Sequence, residues 1–345
     1  MKRTNSLHGP LDDVAADAGH GEHPPRVGFF TDTSVCIGCK ACEVACKEWN
    51  LIPADGFDLL GMSMDNTGSL GAHTWRHVSF VEQNVALDGQ SSQLAGLPTG
   101  TSTGSASAEV LASRLVAAER GDTELGTTPP VVTGGAEDLG IPTFQRPGDG
   151  TGAETRTDFR WLMSSDVCKH CTHAGCLDVC PTGALFRTEF GTVVVQQDIC
   201  NGCGYCVSGC PYGVIDRSTL DGTAHKCTLC YDRLHDGMEP ACAKACPTQS
   251  IQFGELNELR ERAANRVKQL HERGVSQARL YGEDPDDGVG GTGAVFLLLD
   301  EPEVYGLPPD PIVATRDAAA MWRIAAGAAA AFFAAGIAAF LGSRR

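Results

Sequence analysis

The stretch Cys200-Asn-Gly-Cys203-Gly-Tyr-Cys206-Val-Ser-Gly-Cys210-Pro211 decides how this chain is read. Its spacing, C-x2-C-x2-C-x3-C-P, is the run in which three thiolates grip one [4Fe-4S] cluster while the fourth reaches a neighbouring cluster. The pattern repeats on both sides of it. Upstream, Cys168, Cys171, Cys176 and Cys180 keep the run with two extra residues before the third cysteine, and Pro181 closes it. Downstream, Cys227, Cys230, Cys242 and Cys246 stretch the same gap to eleven residues and end on Pro247. A last run, Cys36, Cys39, Cys42 and Cys46, stands near the N-terminus with Lys47 in place of proline. The four runs use all sixteen cysteines, and twelve of them fall between Cys168 and Cys246.

Short loops are what a cubane cluster needs, because several thiolates must converge within a few ångströms. Gly38, Gly202 and Gly204 permit such turns and let backbone amides face the sulfurs. Two other uses of cysteine fit less well. A structural zinc site takes two C-x2-C pairs across a longer loop and has no use for a third cysteine at i+6. A disulfide framework belongs to secreted chains and does not repeat one spacing four times. The cross-ligation rule then gives four sets. Cys36, Cys39 and Cys42 take Cys246, and Cys227, Cys230 and Cys242 take Cys46. Cys168, Cys171 and Cys176 take Cys210, and Cys200, Cys203 and Cys206 take Cys180. The expected cofactors are four [4Fe-4S] clusters. The expected fold class is α+β: two nested ferredoxin-like 2[4Fe-4S] modules, a long flexible insertion and one C-terminal transmembrane helix.

Composition bounds the partners. With 27 basic against 43 acidic residues the formal charge is -16, which argues against nucleic acid. Loading four clusters adds about eight further negative charges, since four thiolates outweigh a core of about +2 in each. The leader before Val27 carries neither an apolar run after its basic residues nor a twin-arginine pair, so export would rely on a partner.

In chain order, residues 1–27 read as a flexible polar arm whose His8, His20 and His23 are solvated. Residues 28–81 form the first part of the outer module, with strands at Val27 to Asp32 and His73 to Val81. Residues 82–157 turn rich in Gly, Ser, Thr and Ala and read as a low-complexity insertion, with one helix possible at Ala106 to Arg120. Order resumes at Phe159, Trp161 and Leu162. The inner module spans 158–225 and includes a hairpin, Ala184 to Thr188 with Thr192 to Gln196. The outer module resumes over 226–312, with Ile251 to Phe253 after Cys246. In it Gly254 to Gly274 is an amphipathic covering helix, with Leu256, Leu259, Ala263, Val267 and Leu270 on one stripe. The glycine-rich Gly288 to Gly293 lacks the lysine and preceding strand of a phosphate loop and reads as a turn into the strand Ala294 to Leu299. His170 and His173, between ligands, read as solvated.

Residues 313–345 form the membrane anchor. Ile324 to Leu341 is eighteen residues without a charge, near the roughly 20 that span a bilayer. Gly327, Ala331, Ala335 and Ala339 put small residues at four-residue spacing, which suits packing on another membrane helix.

With these parts assembled, the chain resembles the iron-sulfur (beta) subunits of membrane-bound formate dehydrogenases, within the four-cluster ferredoxin-type subunits of molybdopterin oxidoreductases. The resemblance rests on Cys36-Ile-Gly-Cys-Lys-Ala-Cys-Glu-Val-Ala-Cys-Lys-Glu-Trp-Asn50, on Tyr231-Asp-Arg233, and on Tyr305-Gly-Leu-Pro-Pro-Asp-Pro311 before a single terminal helix. It covers about residues 28–81 and 158–341; the insertion is longer than the family's connection. It implies an electron-transfer subunit with no catalytic centre, serving anaerobic respiration. The implied partners are a molybdopterin catalytic alpha subunit that oxidises formate and a cytochrome b gamma subunit that reduces quinone. It also implies a cluster domain on the extracytoplasmic side of the cell membrane. The alternative is the equivalent electron subunit of a hydrogenase or a sulfur-compound reductase.

Overall fold

The computed structural model describes residues 11, 13–55, 64–65, 67–83, 160–313, 315 and 318–342. Ten strands lie among them: β1 Val27–Asp32, β2 Arg76–Gln83, β3 Arg160–Val167, β4 Leu185–Arg187, β5 Val193–Val195, β6 Asp216–Arg217, β7 Ala224–His225, β8 Ile251–Glu255, β9 Arg279–Tyr281 and β10 Ala294–Leu298. Four of them form one sheet in the order β8-β1-β10-β9. Its centre is a parallel pair, with Phe29 opposite Ala294 and Asp32 opposite Leu297. β8 and β9 flank that pair antiparallel.

Side chains alternate across this sheet, and each face has its own cover. Phe30, Val295 and Leu297 point to the helix Leu256–Glu272, whose Leu256, Leu259, Ala263 and Leu270 are buried against them. Phe29, Ala294, Phe296 and Leu298 point the other way, into a core shared with Cys42, Cys46, Cys227 and Cys242. The sheet therefore backs the cysteine runs directly. Gly28 in β1 is part of that fit. A Cβ there would meet the Gly293 carbonyl oxygen at 2.2 Å and Leu256 Cδ1 at 2.9 Å. Gly28→Ala is expected to destabilise the fold by about 1–3 kcal/mol, seen as a lower thermal unfolding midpoint, because backbone on the far side cannot yield cheaply.

Three antiparallel pairs complete the strands: β2 with β3, β4 with β5, and β6 with β7. β2 and β3 pair from Arg76 opposite Val167 to Gln83 opposite Arg160. The chain thus leaves at Gln83 and returns at Arg160, side by side.

Some expectations shift. The strand expected from His73 begins at Arg76, because Gly71 and Thr74 close a turn first (N to O 2.9 Å). The insertion expected from residue 82 starts later, since Glu82 and Gln83 belong to β2; the helix expected over Ala106 to Arg120, the insertion from residue 84 onward, His8 and Phe159 lie outside the described residues. The leader, expected to be a free arm, is tied down along most of its described length. Val14 and Ala15 are buried, Asp13 caps the short helix Val14–Asp17, and His20 Nε2 lies 3.1 Å from the Arg187 carbonyl. His23 pairs with Asp13 at 3.2 Å. Arg26 anchors its end, donating to Thr172 Oγ1 at 2.9 Å and to the His170 carbonyl at 2.8 Å. Polar composition missed this because two apolar residues and one arginine are enough to dock a segment that short.

At the other end, Met321–Gly342 is long and apolar enough to cross a membrane, and none of it is buried in the chain. Phe332 and Phe333 on it are 81% and 74% exposed.

Candidate iron-sulfur site

Each C-x2-C loop bends the same way. The residue before its second cysteine has positive φ in all four runs: Gly38 at 64°, His170 at 44°, Gly202 at 69° and Leu229 at 58°. Glycine meets that need without strain in two runs; histidine and leucine are held there by their surroundings. His170 is fixed through its ring, where Nδ1 accepts from the Val193 amide at 3.1 Å. It is 2% exposed and His173 is 5% exposed, so neither is the solvated side chain the sequence suggested. The glycine-rich turn explains this. Gly291 and Val289 carbonyls accept from the Thr172 and His173 amides, and the Gly293 amide donates to the Lys169 carbonyl. The stretch Gly288 to Gly293 is a bracket around the loop between Cys168 and His173.

The runs do not each close on themselves. Cys36, Cys39 and Cys42 line one cavity together with Cys246, between Val78, Ser165 and Ile251. Cys46, from the far end of the helix Ala41–Trp49, lines a second with Cys227, Cys230 and Cys242, under Phe29, Trp75 and Val167. Cys168, Cys171, Cys176 and Cys210 line a third with Val193, Ile215 and Lys226. Cys206 lies close enough to Cys200, Cys180 and Cys203 for their charges to interact, which gathers the remaining four.

Neighbouring sets also touch electrically. Cys42 of the first feels Cys242 of the second, Cys227 of the second feels Cys168 of the third, and Cys176 of the third feels Cys206 of the fourth. The sites follow one another in that order. Among the described residues no three His, Cys, Asp or Glu side chains close on a single point as a lone ion requires. Four thiols spread around a space suit a polynuclear core instead.

The electrostatics ask for positive charge. Burial pushes thiols up, Cys42 and Cys206 to about 11 and Cys176 to about 12; other cysteines add to it, while Arg76 works against it at Cys42 and Lys226 at Cys176. Burial, then Cys227, Cys242 and Cys230, raises Cys46 well above the ordinary thiol range. Cys180 goes the other way; burial works against it, but the amides of Leu185, Thr182 and Ala184 and the Thr182 hydroxyl carry it down. Thiolates so placed are costly unless a cationic core binds them, and ligands must be deprotonated to bind one. Donors already face the sulfurs. The Leu229 amide is 3.3 Å from Cys227 Sγ and the Ala224 amide 3.4 Å from Cys200 Sγ. Asn50 Nδ2 stands 3.7 Å from Cys46 Sγ and 3.8 Å from Cys230 Sγ. The donor set therefore fits [4Fe-4S] groups.

Several residues at these sites carry no motif. Arg76, Lys169 and Lys226 are each 1% exposed, among the most deeply buried side chains in the chain. Arg76 Nη2 donates to Cys242 Sγ at 3.3 Å, and its guanidinium lies over the Phe29 ring at 4.8 Å. Lys226 Nζ donates to the Val193 and Cys227 carbonyls, and Lys169 pairs with Asp166. The available signal for Arg76 was a charge inside the run Trp75 to Val81, where alternation alone would put it on either face.

Similarity to known proteins agrees with the chemistry. The 4Fe-4S dicluster domain family matches residues 159–256, which takes in the three later cysteine runs. The formate dehydrogenase iron-sulfur subunit of Haemophilus influenzae is 34% identical over 297 residues, 84% of this chain and 71% of the relative. The iron-sulfur subunit of the nitrate-inducible formate dehydrogenase of Escherichia coli is 33% identical over 308 residues, 88% of this chain and 78% of the relative. The B subunit of the anaerobic dimethyl sulfoxide reductase of Escherichia coli is more distant, 28% identical over 238 residues, 69% of this chain and 77% of the relative. Likeness at the level of the first two across most of both chains, on a scaffold that gathers cysteines from distant runs, means that this chain belongs to the family of formate dehydrogenase iron-sulfur subunits.

Proposed function

We propose that the chain holds four [4Fe-4S] clusters and forms the wire of a membrane-bound formate dehydrogenase. It is an electron-transfer subunit, not a catalytic one. When bound, such clusters supply one-electron relays. The observation that carries the reading is the gathering of sixteen cysteines into four sets of four, each set drawing on two runs. The first is Cys36, Cys39, Cys42 and Cys246; the second Cys46, Cys227, Cys230 and Cys242; the third Cys168, Cys171, Cys176 and Cys210; the fourth Cys180, Cys200, Cys203 and Cys206. The first two sets join the N-terminal run to the last one around the two inner runs, the nested arrangement of two ferredoxin-like modules.

One end of the series would face a molybdopterin catalytic subunit that oxidises formate. The other would face a cytochrome b partner, beside which the terminal helix lies in the membrane, with the cluster domain outside the cytoplasm. A sulfur-compound reductase is the second reading, favoured by the likeness to the dimethyl sulfoxide reductase B subunit. The large subunit that co-purifies decides between them. Cluster loading is tested separately. Anaerobically purified protein is expected to hold about sixteen iron atoms per chain, four per set of four ligands. About half that amount would overturn the fourfold assignment.

A further inference from the structure

Among the described residues, Arg76 is the buried cation whose side chain reaches the sulfur of a proposed cluster ligand, and it does so without any carboxylate among its polar partners. Those partners are Cys242 Sγ (3.3 Å from Nη2), the Ser165 carbonyl (3.1 Å from Nη1) and the Ser165 hydroxyl (3.5 Å from Nη1). Ser165 Oγ in turn lies 3.3 Å from Cys42 Sγ. Cys42 belongs to the first set and Cys242 to the second, so one continuous chain of contacts, Cys242–Arg76–Ser165–Cys42, joins two neighbouring sites. A buried guanidinium is very costly unless something negative lies beside it. Glu43, the carboxylate next to Cys42 in sequence, is otherwise engaged: it accepts from the Val78 amide and pairs with Lys40 at 3.3 Å. The negative charge that balances Arg76 is therefore the thiolate groups themselves.

We infer that Arg76, with Ser165, forms a charged bridge between the first and second cysteine sites that raises the reduction potential of both and leaves the fourth untouched. This rests on the cluster reading above. Reduction makes a thiolate-bound group more negative, and a fixed cation in a low-dielectric interior stabilises the more negative state. Hydrogen bonds to the sulfurs act in the same direction. Ser165 passes part of the effect to Cys42 by donating its hydroxyl proton there. Among the described residues no side-chain cation donates to a sulfur of the fourth set, around Cys206; the donors there are neutral, backbone amides such as those of Ala224 and Leu185 and the Thr182 hydroxyl.

The test is an EPR-monitored redox titration of the purified complex, with iron counted on every sample and signals assigned by single cysteine variants. In Arg76→Gln the one-electron reduction equilibrium of the two bridged clusters is expected to fall tenfold or more, about 59 mV in potential, with the fourth unmoved. Arg76→Lys keeps the charge and should recover most of that shift. Ser165→Ala should lower the first site more than the second. Full iron with unmoved potentials in Arg76→Gln, or an equal shift at all four sites, overturns the bridge. Should Arg76→Gln lose iron, Ser165→Ala decides alone: a loaded protein with an unmoved first site overturns it. Wild-type protein lacking iron at these sites would sink the cluster reading itself, a different result.

Discussion

Replacing Cys46 with serine is expected to empty or alter the site of Cys227, Cys230 and Cys242 while leaving that of Cys36, Cys39 and Cys42 intact. Sequence proximity says the reverse, since Cys46 closes the N-terminal run. The geometry favours the crossed assignment. Cys46 sits in the last full turn of the helix Ala41–Trp49, which carries it away from Cys36 and Cys39 and buries it among Cys227, Cys242 and Cys230. Asn50 reinforces that placement: its side-chain amide donates to the Cys46 carbonyl at 2.8 Å and faces both Cys46 and Cys230 sulfurs. The space around Cys36, Cys39 and Cys42 is completed instead by Cys246. Iron should drop by about one cluster, roughly four atoms of sixteen, and the lost EPR signal should be the one also lost in Cys230→Ser. A signal shared with Cys36→Ser instead would refute the crossed assignment.

The spacing of the cysteines was legible because it is a local demand: a few residues of loop must bring thiols together, whatever the rest of the chain does. The covering helix was legible for a similar reason, since its buried Leu256, Leu259, Ala263 and Leu270 recur at helical spacing. What the sequence left dark depends on distance along the chain. The parallel pairing of β1 with β10 sets Phe29 against Ala294, and nothing local announces it. Nothing local marks Arg76 for burial; that depends on the Phe29 ring and Cys242, which close over it from elsewhere in the chain. His170 and Leu229 adopt the left-handed bend that glycine takes at Gly38 and Gly202, and only a scaffold that overrides residue preference can impose it. The turn at Gly288 to Gly293 offered its shape but not its purpose, because the loop it brackets lies more than a hundred residues earlier.

Ending the chain after Asp317 is expected to move the protein from the membrane fraction to the soluble fraction with its iron unchanged, and to uncouple it from quinone. The cut falls where the folded part stops depending on the tail. Val313 is buried, with its amide 3.3 Å from the Gly288 carbonyl, and the Thr315 hydroxyl donates to Asp178 at 2.6 Å. Beyond them the helix Ala318–Gly342 begins, and none of its span from Met321 to Gly342 is buried in the chain. So large an apolar surface is stable in water only if something covers it, and a bilayer with a partner helix would do so across 22 residues. The small residues Gly327, Ala331, Ala335 and Ala339 would let that partner approach closely. Reduction of the truncated protein by formate through the catalytic subunit should therefore persist, while quinone reduction falls to near background. Substituting leucine at Gly327 and Ala331 separates the helix's two roles: anchoring should survive, because the span only becomes more apolar, while docking on the membrane partner should weaken. A truncated chain that still sediments with membranes when expressed without its partners would show that another surface holds it there.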